Sequence, residues 1–292
     1  MKIIKPSIQF YGAVPTEYNA ALKFIEMAGR TCYKSEDKIT EDSAEGFVKK
    51  LIKAGHLAMV EHSNFVAVFN SPYVLVSSCL GKYLNSVVRD GCTYVGGNLT
   101  AWYQQAKYNG FYAQLFQPFM DEYGPIFGID AGSTEPTWEA CPHDEIPKEL
   151  HRYSAKFICD RAISHELVRH RPCSFAQEST RYVNYGGKDM EFIEPWWMAD
   201  EENRDDPGWD IFSASCRVAE MNYNQMMDIA VHNSPQACRA VLPNALKTEI
   251  VVTADLKEWE HLFKLRCSHA AHPDFRRLAI PLRDKFIAEG IL

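Results

Sequence analysis

The sequence predicts an α+β fold, with helices and antiparallel sheet mixed in a single domain spanning residues 1–292. Three observations predict it. Segments with apolar residues at helical spacing alternate with short β-branched and aromatic runs, but without the strand–helix–strand rhythm of a parallel sheet. No internal repeat or low-complexity linker divides the chain. The apolar share of 46% is enough for a sizeable core.

Residues 3–14 read as a strand ending at Gly12. Thr16 is placed to cap a helix over 17–29, with Tyr18, Leu22, Ile25 and Ala28 on one stripe. "TEDSAEGFVKKLIKAGH" predicts a second helix that buries Phe47, Val48, Leu51 and Ala54 and stops at Gly55. "NFVAVF", 64–69, has strand composition, and a helix is expected from Pro72 to Leu84. Residues 86–147 are rich in glycine, proline and aromatics. They read as a partly helical insertion within the domain, too broken to hold a core of its own. Pro147 is expected to open a long helix carrying Leu150, Tyr153, Phe157, Ile158 and Ala162 into "SHELVRHR". "FIEPWW" reads as a break, followed by a helix from Trp209 to Ala230. Ser234 and Pro235 start another helix, "KTEIVVTA" is a strand, and "DLKE" is a capping box for a helix over 255–270. The last helix runs from Pro273 to Glu289, with a kink expected at Pro281.

A net charge of −7 argues against broad nucleic-acid or membrane binding. The nine cysteines are scattered singly with no CxxC pair, which argues against a disulfide framework or structural zinc. The start "MKIIKPSIQFYGAV" has no signal-peptide core and no run is long enough to span a bilayer, so a cytoplasmic protein is expected.

Against that acidic background, "RHRPCSFAQESTRY", 169–182, concentrates Arg169, His170, Arg171 and Arg181 beside hydroxyl and amide side chains. Pro172 forces Arg171 out of helical geometry, so a helix should end there, and cations suit a helix C-terminus. The helix dipole does not explain Ser174, Gln177, Glu178, Ser179 and Arg181, which together suit a phosphate and a sugar. No P-loop or GxGxxG motif is present. Arg239 in "QACRAVLP" and Arg266 in "WEHLFKLRCSHAAH" are further candidates, although a structural salt bridge is the plainer reading of each alone.

"RHR", seven residues, then Ser179 resembles the signature of the flavin-dependent thymidylate synthases. "AGRTCYKS", "AGHLAMVEHSNFVAVF", "SHELVRHR", "QACRAVLPN" and "TEIVVTADLKEWEHLFKLRCSHAAH" follow in the family's order, with residues near 100–150 outside the likeness. The resemblance implies a homotetramer of α+β subunits whose active sites are shared between subunits. It implies FAD as cofactor, methylation of dUMP at C5, methylenetetrahydrofolate as carbon donor and NADPH as reductant. It places Glu166, Arg169, Gln177, Glu178, Ser179, Arg181, Arg239 and Arg266 at the nucleotide, with Arg266 polarising the uracil ring. It places His56, Glu61, His62, Arg169, His170, Arg171, Gln177, Asp255, Lys257 and His261 at FAD. Many members carry Asn and Arg where this chain has Asp255 and Lys257, and a polar residue where it has Ala176.

Cys173 is expected to have its pKa lowered by nearby arginines, but the resemblance gives it no role. His170 is open to a general-base role, with flavin contact favoured. His56, His62 and His269 lack metal-ligand spacing, so no metal is expected. Two other readings stand beside the enzyme: a flavin-dependent pyrimidine-nucleotide hydroxymethylase, and a non-enzymatic RNA-binding module in which Phe175 and Tyr182 stack bases between the arginines.

Overall fold

The computed structural model describes residues 1–69, 83–108, 116–128, 139–199, 206–229 and 233–292. Its frame is an antiparallel four-stranded sheet in the order β2–β7–β10–β8, formed by Ser7–Ala13, Arg152–Asp160, Lys247–Asp255 and Ser174–Gln177 respectively. The β7 and β10 strands pair over their full nine-residue lengths, from Lys247 opposite Asp160 to Asp255 opposite Arg152.

One face of this sheet is covered by two helices, α9 (Leu256–Arg266) and α10 (Pro273–Ala288). Tyr153, Ala155, Phe157 and Cys159 of β7 meet Trp259, Leu262, Phe275, Leu278, Leu282 and Phe286 there. The other face is covered by α1 (Tyr18–Tyr33), where Ala28 and Cys32 pack on Ala176 and Val251. With both faces buried, the strands lose the apolar–polar alternation of a half-exposed sheet.

That loss explains the main correction to the sequence reading. The helix expected from Pro147 is instead β7 followed by the short α6 (Arg161–Leu167). Leu150, Tyr153 and Phe157 have helical spacing by coincidence; Tyr153 and Phe157 share a strand face with Ala155 and Cys159. Asp160 starts α6, accepting a hydrogen bond from Ile163 N at 2.7 Å.

A second antiparallel sheet has the order β4–β5–β3–β6, with β3 at Phe65–Phe69, β4 at Leu84–Arg89, β5 at Cys92–Gly97 and β6 at Glu139–Ala140. Residues 86–147 therefore supply strands to the sheet begun by β3. They also supply α4 (Leu99–Tyr108) and α5 (Gln117–Phe127). Trp102, Phe119 and Tyr123 form one core with Leu22 and Ile25 of α1, Phe65 of β3, and Val48 and Leu51 of α2 (Ser43–Lys53). As expected, this stretch has no core of its own among the described residues: its aromatics bury against the neighbouring helices and β3. The helix expected from Pro72 to Leu84 lies outside the described residues, except that Leu84 begins β4.

Smaller corrections follow local chemistry. The N-terminal strand divides at Pro6 into β1 (Lys2–Ile4) and β2, and the latter bulges at Gly12, whose φ of +77° suits glycine. Glu17, not Thr16, stands at the N-cap of α1. The helix α2 stops as expected, with Gly55 at φ +72° and His56 N bonded back to Leu51 O at 2.9 Å. "FIEPWW" contains β9 (Glu191–Ile193), which pairs in parallel with β1. Pro207–Asp228 forms α7, and α8 is only Pro235–Cys238, followed by a 3₁₀ turn through Arg239–Val241. A one-turn helix at Leu57–Val60, α3, leads into β3.

Candidate functional site

The arginine-rich signature, 169–182, spans three pieces of backbone: the turn after α6, the edge strand β8, and the loop that follows it. Arg169 and Arg171 are exposed on the turn, whereas His170 between them is 6% exposed. After Pro172 the chain re-enters the sheet, and Ser174, Phe175, Ala176 and Gln177 pair with Thr253, Val252, Val251 and Ile250. This placement sets two groups of predicted residues apart.

The first group surrounds Arg266 at the end of α9. Its Nη1 donates to Glu166 Oε2 at 2.5 Å, its Nε donates to His170 Nε2 at 2.8 Å, and its guanidinium lies 4.6 Å from the Phe275 ring centroid. The His261 ring, exposed on the same helix, stands 6.3 Å from that of His170. Burial, the Arg266 charge and His261 bring the His170 pKa down to about 4. His170 is therefore neutral near pH 7, and its Nε2 is the nitrogen that accepts from Arg266.

The second group follows β8. Ser179 N donates to Cys32 O at 2.9 Å, which fixes the loop against the end of α1. Arg239 Nη1 reaches Thr180 Oγ1 at 3.4 Å, and the Arg181 guanidinium lies over the Tyr182 ring at 5.4 Å. Tyr182 packs on Tyr33, with ring centroids 5.4 Å apart, and Tyr33 Oη lies 3.2 Å from Nδ1 of His56. Among the described residues, Arg169, Arg171, Arg181 and Arg239 form no ion pair. Four guanidinium groups without acids are a donor set that fits phosphate or pyrophosphate.

Gln177 links the sheet to α6: its Nε2 donates to Ser164 Oγ at 2.8 Å and Thr248 Oγ1 at 3.2 Å. Glu178 is 2% exposed, and both carboxylate oxygens are engaged within the fold, one by Tyr185 Oη at 2.7 Å and the other by Lys247 Nζ at 3.3 Å. Lys247 also meets Glu249 at 2.7 Å, and Glu249 meets Lys34 at 2.6 Å and Lys156 at 3.1 Å. Burial alone raises the Glu249 pKa, but hydrogen bonds from Lys247 and Lys34 overcome it and bring the value to about 2. Sequence reasoning missed this network. Its only signal was the alternation of Lys247 and Glu249 on one side of β10, with Lys156 on the neighbouring strand.

The remaining residues predicted at FAD lie elsewhere on the surface and interior. His62 is fully buried, its Nδ1 2.8 Å from Thr253 Oγ1, and burial and Arg152 push its pKa down to about 3. Glu61 is half-buried, and burial raises its carboxyl above the usual value against the pull of Ser174 and Arg152. Arg152, another residue missed in the sequence, is buried and donates to Glu61 O, Ser63 O, Ser174 Oγ and Thr253 O. It ties the turn before β3 to strands β8 and β10 of the first sheet. Asp255 caps α9 by accepting from Glu258 N at 3.0 Å, and its second oxygen accepts from Asn85 at 3.1 Å. With the exposed Lys257, Asp255 lines a cavity of about 260 Å³ between β4 and the start of α9.

Cys173 departs from expectation: burial and Glu258 push its thiol up to about 12, against the pull of Arg152. Among the described residues all cysteines are free thiols, no cluster of His, Cys, Asp or Glu has metal-site geometry, and no helix is long and apolar enough to cross a membrane.

The family model "Thymidylate synthase complementing protein" matches residues 143–289, which include both arginine groups. A flavin-dependent thymidylate synthase of Geobacter sulfurreducens is 35% identical over 122 residues, covering 42% of this chain and 50% of that protein. One from Mycobacterium tuberculosis is 35% identical over 133 residues, covering 41% and 51%. The chain thus spans about half the length of the curated relatives it matches. A crystal structure of the UMP/dUMP methylase PolB from Streptomyces cacaoi, bound with 5-Br dUMP, aligns over 99% of this chain and 91% of its own, at 14% identity and a TM-score of 0.42. That structural likeness is too low to bear on function.

Proposed function

The chain belongs to the thymidylate synthase complementing protein family, and from that premise we propose that it converts dUMP to dTMP by reductive methylation, in a homotetramer with shared active sites. The carbon comes from methylenetetrahydrofolate and the electrons from NADPH. When bound, FAD supplies the hydride chemistry. Arg169, Arg171, Arg181 and Arg239, without an acidic partner among the described residues and all on the segment the family model matches, are the observation that supports a nucleotide and a dinucleotide as ligands.

Each residue has a physical task in this reading. Arg181 and Arg239 hold the dUMP phosphate, with Ser179 donating its hydroxyl beside them. Arg169 and Arg171, exposed on the turn, hold the FAD phosphates, while Gln177 stands between flavin and nucleotide. Lys257 adds a cation at the 260 Å³ cavity, whereas Asp255 has its oxygens committed to the α9 cap and Asn85. Arg266 stabilises the negative charge that develops on the N3/O4 edge of uracil when C5 becomes nucleophilic. A guanidinium already held by Glu166, His170 and Phe275 loses little energy to reorganisation at that moment.

The experiment is tritium release from 5-tritiated dUMP by the purified holoenzyme with methylenetetrahydrofolate and NADPH, with the product identified by mass. Release with dTMP as product is expected. A hydroxymethylated nucleotide would replace this reading by the hydroxymethylase. A colourless protein that binds RNA and releases no tritium would replace it by the RNA-binding module.

A further inference from the structure

We infer that His170 is a positioning residue for Arg266: its unprotonated Nε2 takes the Nε–H of the guanidinium and fixes the plane in which the group faces its substrate. The inference rests on the proposed role of Arg266, and it assigns to His170 a task different from the flavin contact that the family resemblance implies.

The geometry supplies three restraints on one planar group. A guanidinium has five N–H donors in a fixed fork. The Nε–H goes to His170 at 2.8 Å, one Nη1 hydrogen goes to Glu166 Oε2 at 2.5 Å, and Nη2 makes a longer approach to Glu166 O at 3.5 Å. The face of the group rests on the Phe275 ring at 4.6 Å. Glu166 alone holds the group by one short bond and one long approach, which would let it swing about the short one. Phe275 restricts tilt but not rotation within the plane. The His170 bond removes that rotation and leaves one hydrogen on each Nη for a ligand.

His170 is itself held. Its backbone N donates to Leu167 O at 3.1 Å, its residue is 6% exposed, and its ring meets Phe275 edge-on at 6.3 Å. The charged and titratable groups facing it are Arg266 and His261, both on α9, while α10 presents only the Phe275 ring. Burial first, then the Arg266 charge and the His261 ring, disfavour the imidazolium, so the ring remains the acceptor that Arg266 needs, with its proton on Nδ1. A protonated ring would set N–H against N–H.

Two measurements test this. In the first, His170→Leu removes the acceptor and His170→Gln restores one at nearly the same reach. For His170→Leu, kcat is expected to fall about 100-fold, the loss typical of a misplaced reacting group. The KM for dUMP should stay within about threefold of native, because Arg181 and Arg239 stand apart from His170, and the flavin absorbance should persist, because the flanking Arg169 and Arg171 are untouched. His170→Gln should recover most of the lost kcat. Native kcat in His170→Leu would overturn the inference, as would loss of flavin in both variants or failure of Gln to rescue with flavin retained.

The second measurement needs no turnover. Imidazole nitrogen NMR of the native holoenzyme should show His170 as the Nδ1–H tautomer, titrating well below an ordinary histidine. Arg266→Gln should shift that titration upward. An Nε2–H tautomer in the native protein, or an unchanged titration in the variant, would sink the pairing whatever reaction the enzyme performs. If the tautomer is as expected but no dTMP forms, the proposed reaction fails and the pairing stands.

Discussion

Within the 169–182 signature, Glu178 faces the interior while Arg181 is exposed. Ser179 and Arg181 stand on the loop after β8, and Thr180 between them meets Arg239. Glu178, one position earlier, is turned inward and saturated by Tyr185 and Lys247. Nothing in a one-dimensional motif tells which way a residue points just after a strand ends, because the parity is set by pairing with β10. The consequence is testable. Ser179→Ala and Arg181→Ala should each weaken dUMP binding, by about tenfold for the lost charge-assisted contact of Arg181, with thermal stability near native. Glu178→Gln should instead lower stability, because it strips Lys247 of a buried partner. Equilibrium dUMP titration beside thermal melts separates the two outcomes, and unchanged affinity in Arg181→Ala would remove it from the site. Cys173 makes the opposite case. With its thiol pushed up to about 12, it stays protonated at neutral pH, so Cys173→Ser should keep turnover within about threefold.

At the scale of elements, the legible parts were those whose ends carry their own chemistry. The Asp255 cap, the Gly55 stop and the run of α10 all follow from local rules, whereas α7 begins at Pro207, two residues before the expected Trp209. Strand β7 was illegible because its two buried faces mimic a helical stripe, and β9 because three residues give no period at all. Asp255→Ala should cost about 1 kcal/mol in a denaturant titration, as for loss of an N-cap. The charged ladder on β10 was also out of view, since it forms only when β7, β10 and α1 meet. Its pH signature has a definite sign. Glu249 has an ordinary value of 4.5 and a folded value of about 2. Its contribution is therefore complete above pH 4.5 and is lost as pH falls from there toward 2. Lys247 is shifted upward, so its contribution is complete below its ordinary value of 10.5 and lost only in more alkaline solution. Glu249→Gln should flatten the acid limb of a stability–pH curve, and an unaltered limb would assign acid sensitivity to other carboxylates.

For the whole molecule, the arrangement of the two arginine groups bears on assembly. Glu166, His170 and Arg266 hold one another, as do Thr180 and Arg239, yet no hydrogen bond or ion pair among the described residues joins the two sets. Arg169, Arg171, Arg181 and Arg239 also remain exposed in the single chain, where water screens their field. A homotetramer that sets the Arg266 group of one subunit against the Arg239 group of another would enclose them around a single nucleotide. Arg266→Ala and Arg239→Ala should then each abolish turnover alone, the first with flavin retained. Hybrid tetramers made by coexpressing the two variants contain some sites built from an intact Arg266 on one subunit and an intact Arg239 on its partner. Random assembly of equal amounts makes about a quarter of sites intact in this way, so turnover should return to roughly that fraction of native. If both arginines of a site belong to one chain, every hybrid site carries one lesion and mixing restores nothing. Light scattering on the same samples checks that the variants still assemble, so a null result would reject the shared site and not the tetramer.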